Sequence, residues 1–363
     1  AIRVNFSHGD RAQNGALIRR IRDISARNGR EVAVIQDLCG PKIRTGDMND
    51  GGAFLAEGTE VDITVAPQAG TAEAFSVNYP GFAADVEPGA RVLLDDGALE
   101  LTVTSVDDGR VTCTVVHGGV LKSRKGVNLP GTAVSLPSMT EKDIDDLAAG
   151  IDADIDFVAL SFVREAADIE PVRDLLARRG SAAQVIAKIE KPEAIENLDA
   201  IIRAADGILV ARGDLGVEMD LRRVTLLQKD MIRRANEQDK YVITATQMLE
   251  SMINSPRPTR AEVADVSNAI LDGTDAVMLS GETAVGRYPL EAAAMMDGIS
   301  RETEAYLAAR RTGVDWSRIN DINPVQDAVG RAVYDLARDL DAAAIVAYSA
   351  TGGTAVYLSK NRP

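Results

Sequence analysis

Short apolar, β-branched runs recur along this chain at a spacing few architectures can accommodate. They lie at residues 31–37, 156–162, 184–190, 207–212, 241–246 and 276–281. From the second onward they begin roughly 25 to 35 residues apart with helical patterns between them, the period of a βα unit. Such near-continuous apolar strands belong to a parallel sheet covered on both faces. Residues 1–6 add a seventh strand, already under way where the chain opens. An eighth is expected to precede it and complete a (β/α)8 barrel of the TIM type. The chain stops at residues 359–363, soon after a helix-like stretch, so further chain is expected at both ends.

The helices between the runs have readable starts. Thr140 with Asp143, and Thr259 with Glu262, each set a capping hydroxyl three residues ahead of an acid. Residues 48 to 130 break the rhythm. They are rich in Gly, Asp, Thr and Val, and Asp95-Asp96-Gly97 and Asp107-Asp108-Gly109 read as hairpin turns between alternating strands. The expected organisation is a catalytic barrel at 1–46 and 131–310, an inserted small β-barrel domain at 47–130 acting as a lid, and the start of a C-terminal α/β domain at 311–363. In that last part residues 343–348 read as a strand, followed by a small-residue turn at 349–354.

Composition limits the chemistry. A net charge of −15 argues against a nucleic-acid partner, which needs a basic face. No apolar run approaches the roughly 18 residues of a membrane span. Cys39 and Cys113 are the only cysteines, so no disulfide framework is expected and the cytoplasm is the expected location. His8 and His117 are the only histidines, so any metal is expected to be a hard ion on carboxylates. His117 reads as structural, and Cys39 as a bystander near the barrel rim.

Polar residues gather at the C-terminal ends of the apolar runs, the rim where barrels place catalytic groups: Glu190, Asp214, Thr246, Ser280 and Glu282. Each has an ordinary reading. Lys188 and Glu190, two apart on a strand, point the same way and alone would commonly be a salt bridge. Arg212-Gly213-Asp214 would commonly be a turn, and Thr246 a cap. Their convergence on one rim favours chemistry. Two carboxylates facing one cavity repel, and Mg²⁺ resolves this with one or two carboxylates plus substrate oxygens. Lys188 beside such a metal calls for more negative charge from the substrate. Arg3, Arg44, Lys125 and Lys188 could clamp phosphoryl oxygens. A helix starting after Gly213 would offer N–H groups to a carboxylate. There is no Walker-type loop and no Gly-x-Gly-x-x-Gly.

Eight segments in order resemble motifs of the pyruvate kinase family. They are Asn5-Phe-Ser-His-Gly9, Gly40-Pro-Lys-Ile-Arg-Thr-Gly46, Lys125-Gly-Val-Asn-Leu-Pro-Gly131, Lys188-Ile-Glu190, Ala211-Arg-Gly-Asp-Leu-Gly-Val-Glu218, Ala245-Thr-Gln-Met-Leu-Glu-Ser-Met252, Pro256-Arg-Pro-Thr-Arg-Ala-Glu262 and Leu279-Ser-Gly-Glu-Thr283. The resemblance implies phosphoryl transfer from phosphoenolpyruvate to ADP, the last step of glycolysis. It implies Glu190 and Asp214 as ligands of Mg²⁺ (or Mn²⁺), and Lys188 as the cation on the phosphoryl group in flight and on the enolate. Arg3 is implied as the phosphate-binding arginine. Asn5, Ser7, His8, Arg44 and Lys125 are implied near nucleotide phosphates, and the amides of Gly213 and Asp214 at the pyruvate carboxylate. Thr246 is implied where the enolpyruvate proton is delivered, through water held by Ser280 and Glu282. A homotetramer with an effector-binding C-terminal region is the implied assembly.

One departure from the family pattern bears on cofactors. Many members bind K⁺ through oxygens that correspond here to Asn5, Ser7, Asp37 and the Leu38 carbonyl. They carry Thr where this chain has Leu38 and Glu where it has Lys42. The Lys42 ammonium is therefore expected to replace the ion, so that K⁺ is not required; the plain alternative is a surface lysine in a salt bridge. Two other functional readings stand beside the kinase. One is a Mg²⁺-dependent aldolase or lyase of pyruvate, which would not need the Arg/Lys clamp. The other is a catalytically inactive relative kept as a regulator, which loss of Lys188, Glu190, Asp214 or Thr246 would mark.

Overall fold

The structure, a computed structural model, describes residues 1–310, 324–350 and 352–360. It divides into two compact units, Ala1–Ala205 with Leu209–Leu227, and Asp206–Ile208 with Gln228–Pro363.

The first unit opens with β1 (Ile2–Asn5), α1 (Arg11–Asn28) and β2 (Val34–Asp37), and the two strands run parallel. Asp10 caps α1 by accepting the Gln13 N–H, and Gly29 ends it at φ 60°. The chain then leaves this sheet for the stretch expected to form an inserted domain, which lies in the same compact unit: β3 (Ala53–Leu55), β4 (Glu60–Thr64), β5 (Ala74–Ser76), α2 (Phe82–Asp85), β6 (Arg91–Leu94), β7 (Leu99–Asp107), β8 (Arg110–His117), β9 (Gly119–Leu121) and β10 (Val127–Asn128). Six strands form one sheet in the order β10-β6-β7-β8-β4-β5, and β3 pairs with β9. Both expected hairpins form. Asp108 and Gly109 have φ of 48° and 79°, the left-handed pair a two-residue turn between β7 and β8 requires. Alternate residues of these strands (Leu99, Leu101, Val103; Val111, Cys113, Val115) enter one apolar core with Phe75 and Phe82. Burial there pushes the Cys113 thiol up to about 12, so it is inert at neutral pH.

After the insertion come α3 (Glu141–Asp152), β11 (Phe157–Leu160), α4 (Glu170–Arg178), β12 (Gln184–Ile189), α5 (Pro192–Glu196), α6 (Leu198–Ala204), β13 (Gly207–Ala211), α7 (Arg212–Glu218) and α8 (Leu221–Glu237). Thr140 and Asp143 make the expected capping box at α3. β11 returns to pair in parallel with β2, Ala159 opposite Asp37, and β12 pairs with β11 on its other side. The interruption between β2 and β11 therefore leaves them sheet neighbours. The run expected at 156–162 ends at Leu160, because Phe162 takes φ 57°, outside any strand conformation.

The second unit carries β14 (Tyr241–Ala245), α9 (Arg260–Leu271), β15 (Ala276–Met278), α10 (Gly281–Ala284), α11 (Pro289–Arg310), α12 (Pro324–Asp339) and α13 (Gly353–Lys360). β14 and β15 are parallel, and α9 packs on α11 through Val266, Ile270, Met296 and Ile299. All seven expected barrel runs thus contain a strand. The strand expected at 343–348 does not form: Val346 and Tyr348 are fully exposed, and no described strand lies alongside to pair with that stretch. Residues 311–323, where the C-terminal domain was expected to begin, and Thr351 of the expected turn lie outside the described residues. Among the described residues no helix is long and apolar enough to cross a membrane.

Candidate active site

The ends of β1, β2, β11 and β12 bring four charged side chains of the first unit together. Lys188 on β12 and Glu190 just past it are two residues apart and share one side. The Lys188 ammonium lies 2.9 Å from Glu190 Oε1 and 3.3 Å from Asp37 Oδ1. Asp37 Oδ2 accepts from Arg3 Nε at 2.8 Å and from a terminal guanidinium nitrogen at 2.6 Å. Asp37 and Glu190 are each 1% exposed and Lys188 is 12% exposed. Burial works against the Lys188 charge, but Asp37 and Glu190 outweigh it and hold its pKa above the usual lysine range. Burial pushes the Glu190 carboxyl up against the pull of Lys188, and the charge of Asp214 pushes it further. Asp214, on α7, has the Lys42 ammonium 3.9 Å from Oδ1. Three carboxylates thus stand against three cations in one linked group.

Two residues not singled out from the sequence complete the group. Ser161, just past β11, takes a hydrogen bond from Lys188 Nζ at 2.7 Å and donates to the Leu38 carbonyl at 2.8 Å. The Phe162 N–H donates to Glu190 Oε2 at 2.8 Å. An aromatic residue at φ 57° is strained, and strain of this kind gathers where a backbone group must be aimed. Ser161 ends its strand as Glu190 does, and that position was the available signal; a lone serine after a strand is too common to mark a site.

The other expected residues occupy three places. Asn5, Ser7 and His8 form the turn after β1, where Asn5 Oδ1 accepts the Ser7 N–H at 3.0 Å and the His8 carbonyl accepts from the Asn14 side chain at 3.0 Å. Arg44 and Lys125 sit on paired segments at the root of the inserted domain; Lys125 pairs with Asp95 at 2.8 Å, and Arg44 donates to the Arg124 carbonyl at 3.2 Å. Of the four oxygens expected around a monovalent cation, those of Asn5, Asp37 and Leu38 already accept hydrogen bonds within the protein. Gly213 and Asp214 lie in the first turn of α7, which starts at Arg212.

In the second unit Thr246 follows β14 with φ 70°, and Gln247 with φ 54°. A β-branched residue in the left-handed region is an outlier. Glu282, buried, accepts from the Leu249 N–H at 3.1 Å and the Ser280 N–H at 2.7 Å. It thereby ties the loop carrying Thr246 to the turn carrying Ser280, and its carboxylate is engaged with backbone. His117 is exposed on β8, 3.9 Å from Glu57, and Cys39 is half-buried.

The donor set fits a hard divalent cation. Among the described residues no cluster of three or more His, Cys, Asp or Glu side chains could hold a metal. Glu190 and Asp214 supply two carboxylates; burial first and the charge of Asp214 second push the Glu190 carboxyl up, and a dication would relieve the repulsion between them. Two protein carboxylates, with the remaining positions left to water and substrate oxygens, is how Mg²⁺ is usually held.

A family model described as "Pyruvate kinase, barrel domain" matches residues 1–293. The chain is 49% identical to a pyruvate kinase of Geobacillus stearothermophilus over 364 aligned positions, covering 99% of this chain and 62% of that protein. It is 48% identical to pyruvate kinase 2 of Synechocystis, covering 61% of it, and 47% identical to the pyruvate kinase of Mycobacterium intracellulare, covering 75% of it. A solved pyruvate kinase from Cryptosporidium parvum superposes with a TM-score of 0.89 at 37% identity, covering 99% of this chain and 75% of that one. The chain spans 62% of the length of several of the curated relatives it matches.

Proposed function

The chain belongs to the pyruvate kinase family, and from that premise we propose that it transfers the phosphoryl group of phosphoenolpyruvate to ADP, giving pyruvate and ATP. The observation that carries this reading is the buried Lys188 ammonium, fixed between Asp37 and Glu190, with a third carboxylate, Asp214, near enough to act on the charge of Glu190. Its charge is held on against burial. Such a cation is preorganised to meet charge that develops on a phosphoryl group and an enolate.

The residues divide the work. Arg3, oriented by Asp37, and Lys188 bind phosphoryl oxygens. Glu190 and Asp214 would hold Mg²⁺ or Mn²⁺, which when bound supplies a Lewis acid for enolate and phosphoryl oxygens. The amides of Gly213 and Asp214 orient the substrate carboxylate. Lys125, Arg44, Asn5, Ser7 and His8 bind nucleotide phosphates, with Lys125 exchanging Asp95 for them. Thr246 governs delivery of the proton that turns enolpyruvate into pyruvate, with Ser280 and Glu282 holding its loop and the water that relays it. The assembly is a homotetramer in the cytoplasm, as the family resemblance implies.

K⁺ is not required in this reading. Lys42 brings an ammonium within 3.9 Å of Asp214, and three of the four pocket residues, Asn5, Asp37 and Leu38, already accept hydrogen bonds within the protein. The deciding assay follows pyruvate formation from phosphoenolpyruvate and ADP with Mg²⁺ in tetramethylammonium buffer, with and without KCl. Equal rates support the kinase and the role of Lys42. Activity only with KCl keeps the kinase and removes the role of Lys42. No turnover by folded protein in either buffer moves the assignment to a lyase or an inactive relative.

A further inference from the structure

Each candidate metal ligand is followed by one half of a buried ion pair. Lys191 is the residue after Glu190, and Glu218 lies one helical turn beyond Asp214 on α7. The Lys191 ammonium lies 2.6 Å from Glu218 Oε1, with the side chains 12% and 1% exposed. The same Oε1 accepts from Asn128 Nδ2 at 2.7 Å. Asn128 ends β10, the last strand of the inserted domain. Glu218 Oε2 is buried without a hydrogen-bond partner. Three segments distant in sequence therefore meet on one carboxylate oxygen.

Stability alone is a poor reason for this arrangement. A buried ion pair is often no better than a well-packed apolar pair, and the bare oxygen makes this one worse. What the pair does fix is position. It locks the end of β12, which carries Glu190, to the helix that carries Asp214. We propose that Lys191 and Glu218 are positioning residues that set the separation of Glu190 and Asp214 for a divalent cation, and that Asn128 ties the root of the inserted domain to that same spacing. The inference rests on the metal reading given above.

The test is Mn²⁺ binding to the full chain, followed by the loss of the free-ion paramagnetic resonance signal, with no turnover needed. K191M and E218Q are expected to weaken Mn²⁺ binding about ten-fold or more, the usual effect of losing an outer partner of a metal site. K191R, which keeps the pair, is expected to stay within about two-fold of the parent, and the K191M/E218Q double variant to lose less than the product of the single losses. K191M leaves a buried carboxylate unpaired and can fail to fold; E218Q keeps the shape of its side chain and then decides alone. Folded E218Q that binds Mn²⁺ within about two-fold of the parent, with only its melting temperature changed, overturns the positioning role and leaves the metal site standing. A parent protein that binds no Mn²⁺ overturns both.

Discussion

The ammonium of Lys188 and Oε1 of Glu190 stand 2.9 Å apart, both side chains almost wholly out of solvent. Breaking such a pair from one side leaves Glu190 and Asp37 as buried carboxylates short of a counter-charge. Lys188→Met is expected to lower unfolding free energy by roughly 3–5 kcal/mol. Mn²⁺ is expected to restore part of that loss, since a dication on Glu190 and Asp214 replaces the missing charge and stabilises the folded state by mass action. Turnover is expected to fall by at least about 10²-fold. Urea titrations with and without Mn²⁺ check the first two; an unfolding midpoint equal to the parent's would contradict the charge argument.

Lys42→Glu separates the monovalent-cation reading from a plain surface salt bridge. The change turns an attractive contact with Asp214 into a repulsive one and swings the local charge by two units. The variant is expected to be nearly inactive in tetramethylammonium buffer and to recover with KCl. A variant as active as its parent without K⁺ reduces Lys42 to an ordinary ion pair.

Acid sensitivity of the second unit is expected to centre on Glu262. Its carboxylate accepts from the Ser251 N–H at 2.7 Å and Oγ at 2.6 Å, and from the Thr259 N–H at 2.7 Å and Oγ1 at 2.9 Å. Burial alone would raise its pKa, but these four bonds outweigh it and hold the carboxyl below its ordinary range. A depressed folded pKa contributes stability that is complete above the unfolded value, about 4.3, and is lost as pH falls through the folded one. Glu262→Gln is therefore expected to flatten the fall in urea stability between neutral pH and strong acid. Thr259→Ala is expected to cost about 1 kcal/mol at neutral pH through the lost cap. A parent and a Gln variant with parallel pH profiles would rule out Glu262 as the group concerned.

What the sequence revealed and what it hid follow one physical line. The barrel strands were legible because parallel strands buried on both faces must be continuously apolar, and the hairpins because Asp108 and Gly109 must adopt positive φ. The capping boxes at Thr140 and Thr259 were legible because their partners lie within one turn. Lys188 with Glu190 was legible for the same reason, as neighbours on one strand face. Ser161 with Lys188 and Lys191 with Glu218 were not, since each pair is 27 residues apart and only the fold joins them. The stretch at 343–348 failed in the opposite way: β propensity is local, but a strand needs a neighbour, and none of the described strands provides one.

Thr246 lets function be distinguished from stability by sign. Its φ of 70° places a β-branched side chain in a region suited to glycine, where strain is of order 1–3 kcal/mol. Thr246→Gly removes that strain and adds back roughly 0.5–1 kcal/mol of unfolded-state entropy. The net expectation is a protein as stable as the parent or more stable by about 1 kcal/mol. If the hydroxyl governs the proton that completes pyruvate, the same variant loses turnover by at least about 10²-fold, the usual reach of a positioned proton donor. It should also exchange far less solvent deuterium than the parent into the methyl group of added pyruvate, a reaction that isolates the protonation step from phosphoryl transfer. Gain or retention of stability with loss of exchange marks Thr246 as strained for its chemistry. Loss of stability with normal exchange would mark it as a structural turn residue, and the proton would have to come from elsewhere.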